Sequence, residues 1–220
     1  MDIIKLFSIS QSMSAIKRYS QLHLLKSESV MEHTGFVCLF TYILCEKINS
    51  VSDEEDKLNI GIALEKAVIH DIDEVVTGDI PRPTKYYSKE SSKIFENIAD
   101  DGIKQIISEL DLGFQSRIEL NWKTAKDDSE GAIVALADLA SVVYKLWDEV
   151  ILLGNKKLIL QGKQVFAYVQ NLSKEIEKNF HFTYDQQLAI NNVIYQLLQI
   201  CAEINKIENP LTLKTFERSK

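Results

Sequence analysis

Residues 69–86 read IHDIDEVVTGDIPRPTKY, and this stretch carries the strongest chemical signal in the chain. His70 and Asp71 offer an imidazole nitrogen and a carboxylate oxygen, which together suit one divalent cation. Glu74 follows Asp71 by three residues, so on a helix the two carboxylates lean toward the same side. Gly78 is expected to end that helix. The order of residues predicts a pair of ligands, an acid or base, and then a turn.

Residues that interrupt helices are sparse in the rest of the chain. Only 8 glycines and 3 prolines occur among 220 residues, which favours an all-α fold. Pro81 and Pro83 are expected to keep the segment after Gly78 extended. Apolar residues recur with helical spacing in eight segments. We predict helices over residues 1–22, 29–48, 58–72, 87–110, 108–126, 127–147, 156–180 and 183–205.

The composition is that of an ordinary globular protein, with 45% hydrophobic and 26% charged residues. A net charge of −7 argues against a nucleic-acid polymer as partner. No apolar run is long enough to cross a bilayer, so no membrane association is expected. The N-terminus lacks the apolar core of a secretory signal. The three cysteines, Cys38, Cys45 and Cys201, lack CxxC spacing, which favours core thiols and a cytoplasmic location.

A second histidine falls where it can meet the first. Ser29 and Glu32 form a capping-box pattern, which predicts a helix start near Ser29 and places His33 in its first turn. An isolated histidine there is more often structural than a metal ligand. However, two antiparallel helices joined by the short loop at residues 49–57 would bring His33 against His70. Two histidines and a carboxylate then converge on one point.

Asp138 lies in the middle of the most apolar helix, over residues 131–147. That helix is apolar nearly all round, so we expect it to be central in the fold. An unpaired buried carboxylate is costly, and therefore either a basic side chain or a metal ion must satisfy Asp138. The metal interpretation is favoured because the histidine cluster needs another ligand.

These residues and their order resemble the HD-domain superfamily of metal-dependent phosphohydrolases. More specifically, the run HDxxEVxTGDxPxPxKY resembles the bacterial 5′-deoxynucleotidase (YfbR-like) branch. The resemblance extends from about residue 18 to residue 155. It implies an HD-domain helical bundle, which we assign to residues 1–205 as one domain, followed by a polar tail at 206–220. The segments that carry it are Arg18-Tyr19, residues 28–33, residues 70–86 and residues 137–145.

The resemblance also implies a site for one divalent metal ion, which could be Mn²⁺, Co²⁺, Mg²⁺ or Zn²⁺. Its implied ligands are His33, His70, Asp71 and Asp138. Glu74 matches the family's catalytic carboxylate and is assigned to proton transfer with the water or the leaving 5′-oxygen.

Other residues are carried over from the resemblance as substrate-binding positions. Arg18 is implied as a phosphate clamp and a catalytic residue, since its paired donors suit a phosphoryl group. Lys85 and Lys145 are weaker phosphate candidates, and Asp79 matches the position associated with the sugar. The family usually has Trp followed by Pro after the arginine, whereas this chain has Tyr19 and then serine. The resemblance implies that the aromatic residue at this position shapes the pocket for sugar and base, so the change to Tyr19 leaves sugar and base preference open.

Three functions are compatible with the sequence. The leading hypothesis is hydrolysis of deoxynucleoside 5′-monophosphates to deoxynucleoside and phosphate. The first alternative is a deoxynucleoside triphosphate triphosphohydrolase, with selectivity for one base, such as that of dATP, left open. The second is a nucleotide-binding module without turnover, which would have no need of Glu74. The resemblance and the apolar late helices also suggest a homodimer or a higher homo-oligomer.

Overall fold

The structure is a computed structural model that describes residues 3–207, and within this range it contains helices and no strand. The predicted all-α class is confirmed. Two 3₁₀ turns, Glu54–Asp56 and Lys156–Leu158, and a π-helical turn, Asp148–Leu152, connect some of the helices. The α-helices are α1 Ile3–Ala15, α2 Val30–Asn49, α3 Ile60–Ile69, α4 Glu74–Thr77, α5 Arg82–Lys85, α6 Lys89–Ile107, α7 Leu112–Lys123, α8 Ser129–Trp147, α9 Ile159–Asn179 and α10 Tyr184–Lys206.

Helix α8 lies at the centre of the fold, as its apolar sequence predicts. It packs against α2, α3, α9 and α10. Ile133, Val134 and Leu136 are completely buried in the core that these helices share. Each buried side chain of this size stabilises the fold by about 2 kcal/mol. The core therefore holds α8 firmly and fixes the position of any polar group it carries.

Helices α2 and α3 form the predicted antiparallel pair. The capping box at Ser29 is present, with the Glu32 carboxylate accepting the Ser29 backbone N–H at 2.7 Å. The Asn49 side chain closes the loop between the helices by donating to the Leu58 carbonyl and accepting its N–H, at 3.0 and 2.8 Å. Asn59 then caps the start of α3. This hairpin places the first turn of α2 beside the last turn of α3.

The first helix is shorter than predicted. It ends at Ala15 rather than near residue 22, and an irregular segment leads from there to α2. Lys17 pairs with Ser29 in an isolated antiparallel bridge, and the Arg18 N–H donates to the Glu28 carbonyl at 2.9 Å. These backbone bonds replace helical ones, so the segment turns back toward α2.

The segment around the His-Asp pair also differs from prediction. Helix α3 ends at Ile69 with His70 as its C-cap, so Asp71 lies in the following turn and Glu74 begins α4. Gly78 ends α4 with φ +70°, as expected. The prediction of an extended segment at the prolines is wrong, because α5 begins directly after Pro81. Proline is tolerated in a first helical turn, where its missing N–H has no helical partner to lose.

The polar tail predicted for residues 206–220 lies outside the described residues, apart from its first two positions. None of the helices described over residues 3–207 is long and apolar enough to cross a membrane. The cysteines are free, with Cys45 and Cys201 buried and Cys38 half-buried. That arrangement agrees with the predicted core thiols.

Candidate metal and phosphate site

The two histidines and Asp138 converge, as the sequence predicted. His33 Nε2 lies 3.3 Å from His70 Nε2 and 3.3 Å from Asp138 Oδ1. Both histidines are buried, since α2, α3 and α8 enclose them. One ligand atom from each of the three residues lies within 4.8 Å of the others, so the group could hold a metal ion.

Hydrogen bonds on the far side of each imidazole orient the rings. His70 Nδ1 lies 2.7 Å from the Ala67 carbonyl, which can only accept, so Nδ1 carries the proton. Ser141 donates its hydroxyl to the Asp138 carbonyl at 2.7 Å and accepts from His33 Nδ1 at 2.9 Å. In the neutral form of each ring, Nε2 is left with a lone pair that faces the cluster. Partners of this kind are what metal-binding histidines use to fix their tautomer.

Asp71, the fourth predicted ligand, lies beside these three residues but is not one of the group whose ligand atoms all lie within 4.8 Å of one another. Its Oδ2 is 3.1 Å from His70 Nε2 and 3.3 Å from His33 Nε2. It also accepts from Arg18 Nη1 at 3.2 Å. Burial raises the pKa of Asp71, but the charges and hydrogen bonds of the two histidines outweigh it and hold the pKa well below its usual range. The role of Asp71 as a metal ligand stays a prediction.

Asp138 has the basic partner that the sequence left open as the alternative to a metal ion. Its Oδ1 faces His33, while its Oδ2 accepts from Lys126 Nζ at 2.5 Å. Burial raises the pKa of Asp138, but Lys126 and His33 hold it well below its usual range. The sequence did not predict Lys126 as a site residue. It lies on the connection between α7 and α8, where no periodic pattern indicates which way its side chain points. Its position shortly before α8 in an otherwise acidic turn was the only signal.

Arg18 is a buried residue of the site and not a solvated cation at a helix end. It is 9% exposed, and its Nη2 donates to the Tyr19 hydroxyl at 3.3 Å. The guanidinium also lies over the Tyr19 ring, 5.1 Å from its centroid. Glu28 lies 3.6 Å from Arg18 Nε. Together with the contact to Asp71, these groups hold a rigid cation next to the histidine cluster.

Tyr19 and Asp79 are linked directly. The Tyr19 backbone N–H donates to Asp79 Oδ2 at 2.7 Å. Tyr19 has φ +58°, a conformation that costs a non-glycine residue about 1 kcal/mol or more. Burial raises the pKa of Tyr19 to about 12. The bond to Asp79 therefore holds a strained aromatic residue in place beside Arg18.

Glu74 is the most unusual acid among the predicted residues. Among the described residues its Oε2 is buried and has no hydrogen-bond partner. Burial, together with the charge of Asp71, raises the pKa of Glu74 to about 9. A carboxyl group with this pKa carries a proton at neutral pH. Perturbed acids of this kind are concentrated at catalytic sites.

One cavity of about 740 Å³ connects these groups, a size in the range of small-molecule sites. Both predicted lysines line it, but only Lys85 does so without a buried ion pair. Lys145 is 5% exposed, donates to the Lys26 carbonyl at 2.5 Å and pairs with Glu149 at 3.1 Å. Its charge is thus already compensated. The chemically relevant residues that line the cavity are Arg18, Tyr19, Asp71, Glu74, Asp79, Lys85, Lys126, Asp138 and Lys145.

Comparisons with known proteins agree with this geometry. The model of the family described as 5′-deoxynucleotidase YfbR-like matches residues 5–187. The chain is 28% identical to a 5′-deoxynucleotidase of Vibrio vulnificus over 156 residues, which cover 70% of this chain and 78% of the relative. It is 26% identical to the 5′-deoxynucleotidase YfbR of Escherichia coli O127:H6 over 195 residues, covering 82% and 94%.

The fold has a solved counterpart in a crystal structure of an HD-domain phosphohydrolase from Listeria innocua. The TM-score is 0.67 at 24% sequence identity, and the match covers 93% of this chain and 98% of the other. A protein from Pyrococcus horikoshii matches with a TM-score of 0.65 at 15% identity, covering 90% and 99%. These two likenesses establish the arrangement of the helices.

Proposed function

We propose that this chain, which belongs to the YfbR-like 5′-deoxynucleotidase family, hydrolyses deoxynucleoside 5′-monophosphates to deoxynucleoside and phosphate. One observation carries the proposal. Glu74, half-buried and with a raised pKa, lines the same cavity as Arg18 and Asp138, and Asp138 belongs to the metal-ligand type cluster with His33 and His70. A protein that only binds nucleotides has no use for such an acid.

The residues of the cluster fit a divalent metal ion. Two imidazole nitrogens, each oriented by a hydrogen bond on its far side, and one carboxylate oxygen suit Mn²⁺, Co²⁺, Mg²⁺ or Zn²⁺. We assign Asp71 as the further ligand, since its Oδ2 faces both imidazoles. When bound, the metal supplies Lewis-acid polarisation of the phosphoryl group and lowers the pKa of a water molecule.

Glu74 supplies the proton transfer. Because its pKa is raised to about 9, the carboxyl group holds a proton at neutral pH that it can give to the leaving 5′-oxygen. The buried Oε2, unpaired among the described residues, leaves the group free of competing hydrogen bonds. Glu74 begins α4, one turn after Asp71, and lines the same cavity as Arg18, which supports its assignment to a phosphoryl group bound there.

Arg18 binds the phosphoryl group. Its guanidinium is held by Asp71 and Tyr19 and lines the cavity, so little conformational entropy is lost when it meets the substrate. Its donors stabilise the charge that the phosphoryl oxygens gain in the transition state. Lys85, which also lines the cavity, is the second phosphate candidate.

The sugar is assigned to the part of the cavity near Tyr19 and Asp79. Only Oδ2 of Asp79 accepts the Tyr19 N–H, which leaves Oδ1 to accept a hydrogen bond from a sugar hydroxyl. The Tyr19 ring, fixed by its backbone and by Arg18, forms a wall against the deoxyribose.

Phosphate release from a panel of deoxynucleoside mono- and triphosphates tests the proposal. Orthophosphate from the monophosphates, abolished by EDTA and restored by added metal, is the expected result. Release of inorganic triphosphate would identify a triphosphohydrolase instead. Absence of release with every metal would leave a binding module and overturn the assignment of Glu74. Glu177→Gln, which changes an exposed acid on α9, is the matched control for carboxylate substitutions.

A further inference from the structure

The cavity is bounded on one side by α9, which carries none of the predicted site residues. Five of its side chains line the cavity, and their spacing of three or four residues places them on one face of the helix. They are Gln161, Gln164, Tyr168, Asn171 and Glu175, and we call this surface the α9 wall. Amides and a phenol ring predominate there. This chemistry suits an uncharged, flat group that forms hydrogen bonds at its edge.

The groups assigned to the phosphate lie on other elements. Arg18 precedes α2 and Lys85 ends α5, and both line the cavity together with Asp138 of the metal-ligand type cluster on α8. A phosphate dianion is attracted by the two cations and gains little from an uncharged wall. Glu175 on the α9 wall would repel it. The α9 wall is therefore left for a part of the substrate other than the phosphate.

Arg82 joins the α9 wall to the part of the cavity assigned to the sugar. It follows Asp79 by three residues, which keeps the two Cα atoms within about 11 Å of each other. Its guanidinium carbon lies 5.4 Å from the centroid of the Tyr168 ring and 5.4 Å from that of the Tyr86 ring. Such contacts between a cation and an aromatic ring are attractive. They hold the segment that carries Asp79 against α9 and fix the Tyr168 ring at the cavity.

We propose that Tyr168 is a specificity-determining residue that stacks on the base of the deoxynucleotide. Arg82 acts as a positioning residue, because it holds the ring from the side of α5. Gln164 lies one turn before Tyr168, and its amide both donates and accepts hydrogen bonds, as the edge of a base requires. The inference rests on the proposed function, since it takes a deoxynucleotide as the substrate.

The surface of Tyr168 is suited to stacking. Tyr168 is 39% exposed although it lines the cavity, so it has surface left for a ligand. The faces of a base are flat and largely apolar, and they lose contact with water when they pack on an aromatic ring. Because Arg82 already fixes the ring, little conformational entropy is lost on binding. The base thereby adds affinity that the phosphate and the sugar do not provide.

Two ligands, one with a base and one without, test the proposal. They are deoxyadenosine 5′-monophosphate and 2-deoxyribose 5-phosphate. Isothermal titration calorimetry measures their affinities for the Glu74→Gln protein in the presence of Mn²⁺, where slow turnover preserves the ligand. Adding Tyr168→Ala should weaken binding of the deoxynucleotide by roughly tenfold. Binding of the sugar phosphate should be unchanged, because it has no base to stack.

Further variants make the comparison specific. Tyr168→Phe keeps the ring and should retain the affinity for both ligands, while Tyr168→Leu repeats the loss of the ring in case the alanine variant fails to fold. Arg82→Met should weaken only the deoxynucleotide, and Arg82→Lys, which keeps the cation, should restore part of that affinity. Tyr195→Ala is the matched control, because Tyr195 is an exposed tyrosine on α10 that does not line the cavity. It should change neither affinity.

The outcomes separate this proposal from the proposed function. A loss confined to the deoxynucleotide supports base stacking on Tyr168, even if the wild-type protein hydrolyses no deoxynucleotide. An equal loss for both ligands would show that Tyr168 shapes the cavity as a whole, and no loss for either would place the base elsewhere. Either result overturns the proposal and leaves the phosphate-release assay unaffected. If Arg82→Met weakens both ligands alike, Arg82 binds the phosphate and its positioning role is overturned.

Discussion

Two glutamates of this protein, one fully and one partly buried, have opposite environments. Glu149, in the π-helical turn after α8, is completely buried and has a pKa lowered to about 2. Glu74, at the start of α4, has a pKa raised to about 9. Burial raises the pKa of both groups, so burial alone cannot explain the difference. The hydrogen-bond donors around each carboxylate decide it.

Glu149 is surrounded by four donors. Its Oε2 accepts from Asn155 Nδ2 and from the Leu25 N–H, both at 2.8 Å. Its Oε1 accepts from the Lys26 N–H at 2.9 Å and from Lys145 Nζ at 3.1 Å. These bonds tie the segment that follows Tyr19 to the end of α8.

Glu74 lacks such donors, since in the described part of the chain its buried Oε2 has no partner. A carboxylate whose oxygens accept hydrogen bonds stabilises a fold. A buried carboxylate oxygen without a hydrogen-bond donor lowers stability but is available for chemistry. We therefore interpret Glu149 as structural and Glu74 as catalytic. Four substitutions test this comparison.

The largest effect is expected for Glu74→Gln. The amide has nearly the same shape but cannot transfer the proton, so kcat should fall by roughly 100-fold or more. Burying a neutral amide avoids the cost of ionisation, so the free energy of unfolding at pH 8 should not decrease. Steady-state kinetics and urea unfolding check the two parts. Normal turnover would assign the proton transfer to another residue.

Glu149→Gln should affect stability instead of chemistry. The folded pKa of Glu149 lies below its ordinary value, so its stabilisation is present above about pH 4.5 and is lost as the pH falls toward 2. At pH 7 the substitution removes this stabilisation, so the free energy of unfolding should fall by about 3 kcal/mol. Urea unfolding at pH 7 and pH 3 measures this. Between pH 7 and pH 3 the wild type should lose more stability than the variant. Equal losses in the two proteins would contradict the prediction.

Asn155→Ala removes one donor of the same network. The Asn155 side chain donates to the His23 carbonyl as well as to Glu149, both at 2.8 Å. We expect the free energy of unfolding to fall by about 1 to 2 kcal/mol, because one buried acceptor of Glu149 loses a bond while three remain. Thermal denaturation measures the change. A loss as large as that of Glu149→Gln would mean that Asn155 acts independently of Glu149.

Gly78→Ala should have the smallest effect. Gly78 ends the helix that begins with Glu74, and its φ of +70° strains any residue with a Cβ. A Cβ would meet no atom within 4 Å, so strain is the only cost, at about 1 kcal/mol of unfolding free energy. Thermal denaturation checks the loss, and a neutral result would mean that the turn relaxes without cost.

Predictions from the sequence were better for features that depend on neighbouring residues than for features that depend on contacts between distant segments. The capping box at Ser29 and the pairing of His33 with His70 are confirmed, because caps and helical hairpins follow from nearby residues. The extent of α1 and the extended segment after Pro81 were wrong, because tertiary contacts override local propensity there. The predicted homo-oligomer and cytoplasmic location stay predictions.

The sequence by itself determined the helical class, the central place of α8 and the convergence of two histidines with Asp138. The class and the place of α8 depend on the spacing of apolar residues along each helix, and the meeting of the ligands follows from the short hairpin that joins α2 to α3 and from the apolar helix that carries Asp138. Only the tertiary structure decided that Lys126 reaches Asp138, that Lys145 pairs with Glu149, and that Glu74 has a buried oxygen without a partner among the described residues. Those contacts depend on how loops and side chains are directed in the folded chain, and the charge states are set by burial, which exists only after the chain has folded.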